Sequence, residues 1–115
     1  MQKLKEELEK YLGAYYEDAP EEAEYPYKVF LLKRISQDDE RQRLIMEINV
    51  WDQHKYYSRA ESMMDSIEKK LNGCIRLSDD TLYYCYNGNR EPIKDPDKSI
   101  KRIREQFELY CYERS

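Results

Sequence analysis

The sequence predicts an α+β fold in which an N-terminal helix and a central amphipathic helix pack on an antiparallel sheet. Two segments carry apolar residues at helical spacing, other segments alternate with period two, and the links between predicted strands are short. The 115 residues are 40% hydrophobic and 38% charged, with a formal net charge of −4. This composition is typical of a folded domain with a polar surface, and we expect one domain over residues 1–115.

The first predicted element is a helix over residues 2–12, where apolar residues recur every three or four positions and Gly13 follows as a stop signal. The next stretch, residues 17–24, carries five acidic residues and no basic one. Pro20 and Pro26 restrict the backbone of this stretch and of the residues before them. We therefore expect an extended or turned acidic loop.

Two strands are predicted next. Tyr27–Ile35 has apolar residues on both sides, which predicts a central strand covered on two faces. Arg43–Asp52 alternates apolar and other residues, as in a strand with one core face. The polar link Gln37–Gln42 is too short for a parallel return, so the two strands should form an antiparallel hairpin.

A second helix follows, and its beginning and end are both marked. Ser58 and Glu61 fit a capping box, and Asn72-Gly73 marks the end. Its apolar stripe should pack on the core face of the preceding strand, because a domain of this size has one core. The stripe consists of Ala60, Met63, Met64, Ile67 and Leu71, and the strand face of Leu44, Met46, Ile48 and Val50.

The last third of the chain is predicted to be three strands. Thr81–Tyr86 is rich in aromatic residues, and Asn87-Gly88 after it is a strong hairpin signal. Pro92 and Pro96 should confine the returning strand to a sheet edge, since proline cannot donate to a ladder. A final alternating strand is expected over Arg104–Glu113, which gives the order α-β-β-α-β-β-β.

The sequence offers no pattern for catalysis, cofactor binding or metal binding, and we expect none of these. His54 is the only histidine, and a surface or capping role is its ordinary use. Cys74, Cys85 and Cys111 form no ligand spacing and are interpreted as reduced thiols in a cytoplasmic setting; Cys74 near His54 stays an open alternative. The three glycines form no phosphate-binding loop, so an enzyme is not expected.

Membrane and nucleic-acid functions are also disfavoured. No stretch approaches the roughly 18 apolar residues of a membrane helix, and the charged N-terminal segment lacks the apolar core of a signal peptide. A net charge of −4 argues against a general nucleic-acid binder, which needs a basic face.

Tyrosine content and charge segregation point instead to protein–protein contact. The chain has 12 tyrosines, and tyrosine is enriched at interfaces, although a plain surface or core role remains open. Acidic residues dominate the loop before the first strand, whereas basic residues dominate a late stretch. Patches of opposite sign suit head-to-tail contact between copies. The predicted self-assembly residues are Glu17, Asp18, Glu21, Glu22, Glu24, Tyr25, Tyr27, Lys94, Lys98, Lys101, Arg102, Arg104 and Tyr110.

The order of elements resembles the tail-terminator, or tail-completion, proteins of long-tailed bacteriophages and their prophages. The resemblance rests on Tyr25-Pro26-Tyr27 before a Val29–Leu32 strand, the Ile48–Asp52 strand end, and Tyr57-Ser58 opening a helix that ends in Lys70–Gly73. It covers most of the chain, including the first helix and the last strand. The tyrosine content and the proline-bearing segment Glu91–Asp97 depart from it.

This resemblance implies a non-enzymatic assembly protein of the virion tail, present in the host bacterial cytoplasm during assembly. Members of the family form a ring, commonly hexameric, on the last ring of tail-tube protein. The ring stops tail polymerisation and offers a surface to the head–tail connector protein. DNA passes through its lumen only as cargo, and no membrane is involved.

Two other readings stay open. The chain could be a small acidic inhibitor or adaptor of a mobile element that binds a host protein. It could also be a neighbouring head–tail connector component. Size in solution distinguishes the inhibitor, which should be a monomer or dimer, from a ring-forming protein.

Overall fold

The computed structural model describes residues 2–37, 41–78 and 81–113. Within these ranges the chain forms two helices and six strands in one sheet, ordered β1-β2-β3-β6-β5-β4. β1 runs parallel to β2, and the other neighbours are antiparallel. The predicted α+β class is confirmed. The elements are α1 Gln2–Leu12, β1 Tyr15–Tyr16, β2 Tyr27–Gln37, β3 Arg41–Gln53, α2 Ser58–Leu71, β4 Gly73–Ser78, β5 Thr81–Lys94 and β6 Ile100–Glu113.

The strand register brings four strand ends together. Tyr27 of β2 pairs with Trp51 of β3, which pairs with Arg102 of β6, which in turn pairs with Ile93 of β5. We call this the Trp51 end of the sheet. The acidic loop enters the sheet here through β2, and the turn between β5 and β6 lies at the same end.

Both helices cover one face of the sheet, and the predicted packing of α2 is confirmed. The apolar residues of α2 are buried against those of β3, with Met63 half-buried at the margin. The helices also contact each other, because Tyr11 Oη donates to the Lys70 carbonyl at 2.7 Å and Lys70 Nζ donates to the Tyr11 carbonyl at 3.2 Å. The core joins residues of both helices and the sheet, including Leu8, Leu12, Phe30, Leu44, Met46, Ile48, Val50, Met64, Leu71, Ile103, Phe107 and Leu109.

The predicted hairpin at Asn87-Gly88 is wrong. These residues lie within β5, where the pairing with β6 shifts register between Asn87 and Arg90, as at a β-bulge. A Cβ on Gly88 would lie 2.7 Å from the Gln106 carbonyl oxygen, so glycine allows the close approach of two backbones. The turn between the last two strands is instead at residues 95–99.

The three strands after α2 are confirmed in number but differ in position. β4 begins at Gly73, directly after the helix, where the sequence indicated only a helix end. Pro92 lies in the part of β5 that is paired with β6 only, since the pairing of β4 with β5 ends at Cys85. The predicted separate edge strand carrying Pro92 and Pro96 is therefore wrong: Pro92 lies in β5, which is unpaired on one side only in this part, and Pro96 lies in the turn.

The capping box at the start of α2 is also wrong. Tyr57 is the N-cap residue and gives no side-chain cap, so Ser58 is the first helical residue. The Glu61 carboxylate turns to Arg90 at 2.9 Å. Arg90, which is distant in sequence, therefore binds the Glu61 carboxylate that the capping box would have placed near the start of the helix.

β2 is not covered on two faces. The two-residue strand β1, which the sequence did not predict, pairs with it only at Val29 and Phe30. On the side away from the helices, Leu31 is 38% exposed and Ile35 is 44% exposed. The apolar residues on this side of β2 reflect a surface that no described part of the chain covers.

Candidate self-assembly surfaces at the Trp51 end

The acidic loop projects all five of its carboxylates into solvent. Its backbone N–H groups donate three hydrogen bonds, from Glu17 to the Phe30 carbonyl at 3.0 Å, from Asp18 to the Tyr16 carbonyl at 2.8 Å and from Ala23 to the Pro20 carbonyl at 2.9 Å. Glu17 has a φ of 67°, which turns the chain away from the sheet. Within the described ranges, no ion pair or side-chain hydrogen bond engages these carboxylates. They are Glu17, Asp18, Glu21, Glu22 and Glu24.

A row of aromatic rings lies beside the loop on the helix-free face of the sheet. The rings of Tyr25 and Tyr27 are 5.3 Å apart, and Tyr27 stacks on Trp51 at 6.4 Å and 20°. The Arg102 guanidinium lies 4.7 Å from the centre of the Trp51 ring. Burial, with a smaller contribution from Tyr25, raises the pKa of Tyr27 above its ordinary value. The structure thus places Tyr25 and Tyr27 in one row with Arg102, although the prediction assigned the tyrosines and the arginine to opposite sides of a contact between two copies.

The predicted basic stretch does not form a single patch. Arg102 donates to Asn49 Oδ1 at 2.9 Å, and Arg104 forms ion pairs with Glu91 and, at 3.5 Å, with Glu47. Both arginines are therefore engaged inside the protomer on the helix-free face. Lys101 points to the other side, where its Nζ lies 5.4 Å from the centre of the Tyr57 ring.

The turn between β5 and β6 uses its own acidic residues internally. Asp95 accepts a hydrogen bond from the Asp97 N–H at 2.9 Å, and Asp97 accepts from the N–H and hydroxyl of Ser99 at 2.9 and 2.7 Å. The hydrogen bonds from Ser99 lower the pKa of Asp97. Lys94, the last residue of β5, and Lys98 of this turn are both exposed.

A cationic cavity that the sequence did not reveal lies between this turn and the segment joining β3 to α2. It has a volume of about 660 Å³. The His54 N–H donates to the Ser99 carbonyl at 2.9 Å and ties its two walls together. Its lining residues are Gln53, His54, Lys55, Lys98, Ser99 and Lys101. We call it the lysine cleft; its basic residues are separated in sequence, so no local pattern marks it.

His54 lies just before α2 but does not cap it, since the N-cap residue is Tyr57 and the helix has no side-chain cap. Its Nδ1 makes a local contact instead, 3.1 Å from the Tyr56 nitrogen and 3.2 Å from the Tyr56 carbonyl oxygen. The side chain of Cys74, the alternative partner of His54, lies outside the described residues. Cys85 and Cys111 are both buried, and burial followed by the charge of Glu105 raises the pKa of Cys85 to about 12. Cys85 is therefore a protonated core residue.

Tyr110 does not join the other predicted interface residues. It pairs with Arg43 and Tyr84 near the opposite end of the sheet. Its hydroxyl donates to Glu108 Oε1 at 3.3 Å, and the Arg41 guanidinium lies 5.3 Å from its ring. Eight residues of extended β6 separate it from Arg102, roughly 27 Å, so Tyr110 is not a neighbour of the aromatic row at the Trp51 end.

A second charged cluster lies under α2. Arg90 binds Glu61 and Asp65 at 2.9 Å, Glu68 at 2.8 Å, and Glu105 at 2.7 Å. Glu105 is fully buried, and its Oε2 has no hydrogen-bond partner. Burial and the neighbouring Glu68 raise the pKa of Glu105 to about 7, against the opposing effect of Arg90. We call these five residues the Arg90 cluster; they fasten α2 to β5 and β6.

The described part of the chain has neither a group of side chains suited to a metal ion nor a membrane-spanning helix. No set of three or more His, Cys, Asp or Glu side chains there is arranged to hold a metal ion. No helix in those ranges has the length and apolar character needed to cross a membrane.

Comparison with solved structures gives a clear relative in fold. A chain from the virion of a native gene transfer agent (GTA) particle aligns with a TM-score of 0.68 and 16% sequence identity. The alignment covers 91% of this chain and 84% of that one. No protein-family model matches the sequence, and no curated protein matches it. The two chains share a fold that includes nearly all the elements described above.

Proposed function

We propose that this protein is a structural component of a phage-derived particle and acts there as a tail terminator. The observation that carries the proposal is the fold shared with a gene transfer agent virion chain over 91% of this sequence. The sequence resemblance to tail-terminator proteins points to the same class from independent features. In this role the protein caps the tail tube as a ring, stops tail polymerisation and offers the joining surface for the head.

The position of the charged surfaces is compatible with a closed ring. The acidic loop leads into β2, and the turn at residues 95–99 follows β5, so three strand spacings of about 5 Å separate them. Both lie at the Trp51 end of the sheet and hence at the same height along the strands. When copies stand side by side, the acidic flank of one meets the basic flank of the next at equal height. Such a heterologous contact closes into a ring when its rotation divides the circle.

The remaining partners follow from this role. The tail-tube protein would contact one rim of the ring and the head–tail connector protein the other. DNA would pass through the lumen without being gripped, which suits a chain with a net charge of −4. A hexamer is the expected ring, and the virion tail is the expected location.

Sedimentation velocity over a range of protein concentrations, followed by electron microscopy, tests the proposal. We expect rings or a concentration-dependent hexamer, either alone or on co-expression with the tail-tube protein. A protein that stays monomeric or dimeric in both settings and binds a host protein would identify an inhibitor or adaptor instead. Rings that bind a portal or head protein but not tail tubes would identify a head–tail connector component.

A further inference from the structure

We propose that the lysine cleft is the receptor for the acidic loop of a second copy of this chain. This inference rests on the proposed self-assembly and names the contact that would join neighbouring copies. The sequence paired the acidic loop with the whole basic stretch from Lys94 to Arg104. The structure directs the loop to a different set of residues, of which Lys98 and Lys101 belong to that stretch and Lys55 does not.

The cleft is cationic throughout. None of its six lining residues is acidic, and three of them are lysines. Lys55 and Lys101 are steadied by the rings of Tyr56 and Tyr57, at 5.5 and 5.4 Å from the ring centres. A cation over an aromatic face keeps its charge available to an anion on its other side.

The two arginines of the basic stretch are poor alternatives to the cleft. Arg102 is engaged by Trp51 and Asn49, and Arg104 by Glu47 and Glu91. A partner carboxylate would have to displace a contact already made within the protomer. Lys98 has no such partner among the described residues, and its ammonium is exposed.

The acidic loop is the occupant that the rest of the chain supports. Its carboxylates are exposed, and within the described ranges none is held by a cation of its own protomer. The hydrogen bond from the Ala23 N–H to the Pro20 carbonyl forms a turn that displays Glu21 and Glu22. A cavity of about 660 Å³ falls within the range of ordinary binding pockets, roughly 300–1,000 Å³. It has room for the tip of such a turn.

Two copies that contact each other through exposed ion pairs bind weakly, because salt screens each ion pair. Ring closure changes this, since the last contact forms within an assembly already held together and benefits from a high effective concentration. We therefore expect a weak interaction between an isolated loop and one protomer, and a strong one in the closed ring.

The test uses a synthetic peptide of residues 16–27, titrated into the full-length protein at low salt and followed by amide NMR. We expect chemical-shift changes at Lys55, Lys98 and Ser99. Lys98→Glu combined with Lys101→Glu should weaken peptide binding by about tenfold or more, as expected for two reversed charges. Lys69→Glu is the matched control, because Lys69 is an exposed lysine of α2 that does not line the cleft.

Lys98→Glu alone serves as a second variant if the double variant disturbs the turn. Absence of shifts, shifts confined to Arg102 and Arg104, or an equal loss with Lys69→Glu would each overturn the proposal. A DNA duplex that shifts the cleft residues while the peptide does not would make the cleft a phosphate-binding surface, which also overturns it. Ring formation is measured separately by sedimentation. A ring that survives the cleft variants would refute this contact but leave the tail-terminator proposal standing.

Discussion

The Arg90 cluster and the lysine cleft use charge in opposite ways. In the cluster, one guanidinium is shared by four carboxylates, one of which is fully buried. In the cleft, three lysines line an open cavity with no carboxylate among its lining residues. Within the described ranges the cluster pairs its charges inside one protomer, whereas the carboxylates of the acidic loop and the Lys98 ammonium form no ion pair there, and Lys101 Nζ donates only to the Lys98 carbonyl. Burial thus separates charges that hold the fold from charges that remain for a second molecule.

The largest expected change in the free energy of unfolding comes from a substitution in the Arg90 cluster. Arg90→Met leaves Glu105 in the core without its cation, and at a pH well above the Glu105 pKa of about 7, where the carboxylate is ionised, removal of one partner of a buried pair costs about 3–5 kcal/mol. Urea unfolding should show this loss of stability. Arg90→Met with Glu105→Met is the control, because it removes both charges and should recover much of the stability. A loss below about 1 kcal/mol for Arg90→Met would show that the cluster behaves as a surface network.

The pH dependence of stability gives the next largest effect. The pKa of Glu105 rises from 4.5 to about 7 in the folded protein. The folded state therefore holds a proton more tightly than the unfolded chain, so its stability falls as pH rises from 4.5 to 7. This contribution is at most about 3 kcal/mol. Glu105→Gln should abolish the slope, measured by thermal unfolding at a series of pH values, and a slope unchanged by that substitution contradicts the assignment.

Asp52 and Arg59 form an intermediate case between the two regions. Asp52 is buried and accepts from Arg59 Nε at 2.9 Å, while the Arg59 side chain is 45% exposed. The hydrogen bond from Arg59 lowers the pKa of Asp52 below 3.8, so its contribution to stability is lost only as pH falls through the lowered value. Arg59→Ala should cost about 2 kcal/mol at neutral pH, measured by urea unfolding. The exposed Lys69→Ala is a control that should change little.

The smallest effect on stability is expected at the exposed side. Lys98→Glu should change the free energy of unfolding by less than about 1 kcal/mol. It should nevertheless weaken self-association, and added salt should mimic it by screening the contact. Unfolding and sedimentation measured on the same preparation check this. If Lys98→Glu lowered the free energy of unfolding but left self-association unchanged, the charge of the lysine cleft would hold the fold and not a second molecule, contrary to this prediction.

The apolar faces of α2 and β3 could be predicted from the sequence, because the spacing of apolar residues within each segment determines its face. The apolar stripe around Met64 has helical period, and the β3 residues around Met46 have period two, so both faces could be read without knowing their neighbours. Asn87-Gly88 misled because a hairpin and a bulge use the same residues. Only the distant Gln106 carbonyl decides between them here, and its contact with Gly88 is tertiary.

The candidate site was predictable only where charge is contiguous in sequence. The five acids of residues 17–24 stand together and remain exposed, as their density indicated. The lysine cleft joins Lys55 to Lys98 through the fold, and no spacing rule connects them. The acidic stripe of α2 was visible at positions 61, 65 and 68, but its cation, Arg90, could be found only from the register of β5.

The bulge in β5 absorbs one extra residue without moving the Arg90 cluster. Between Asn87 and Arg90 the strand advances three residues while β6 advances two, from Phe107 to Glu105. Because two residues of β5 take the place of one, Arg90 stays opposite Glu105 and on the face that carries α2. Deleting Asn89 would restore a regular ladder and leave this pairing unchanged. Inserting one further residue between the bulge and Arg90 without a second bulge would turn the guanidinium to the helix-free face.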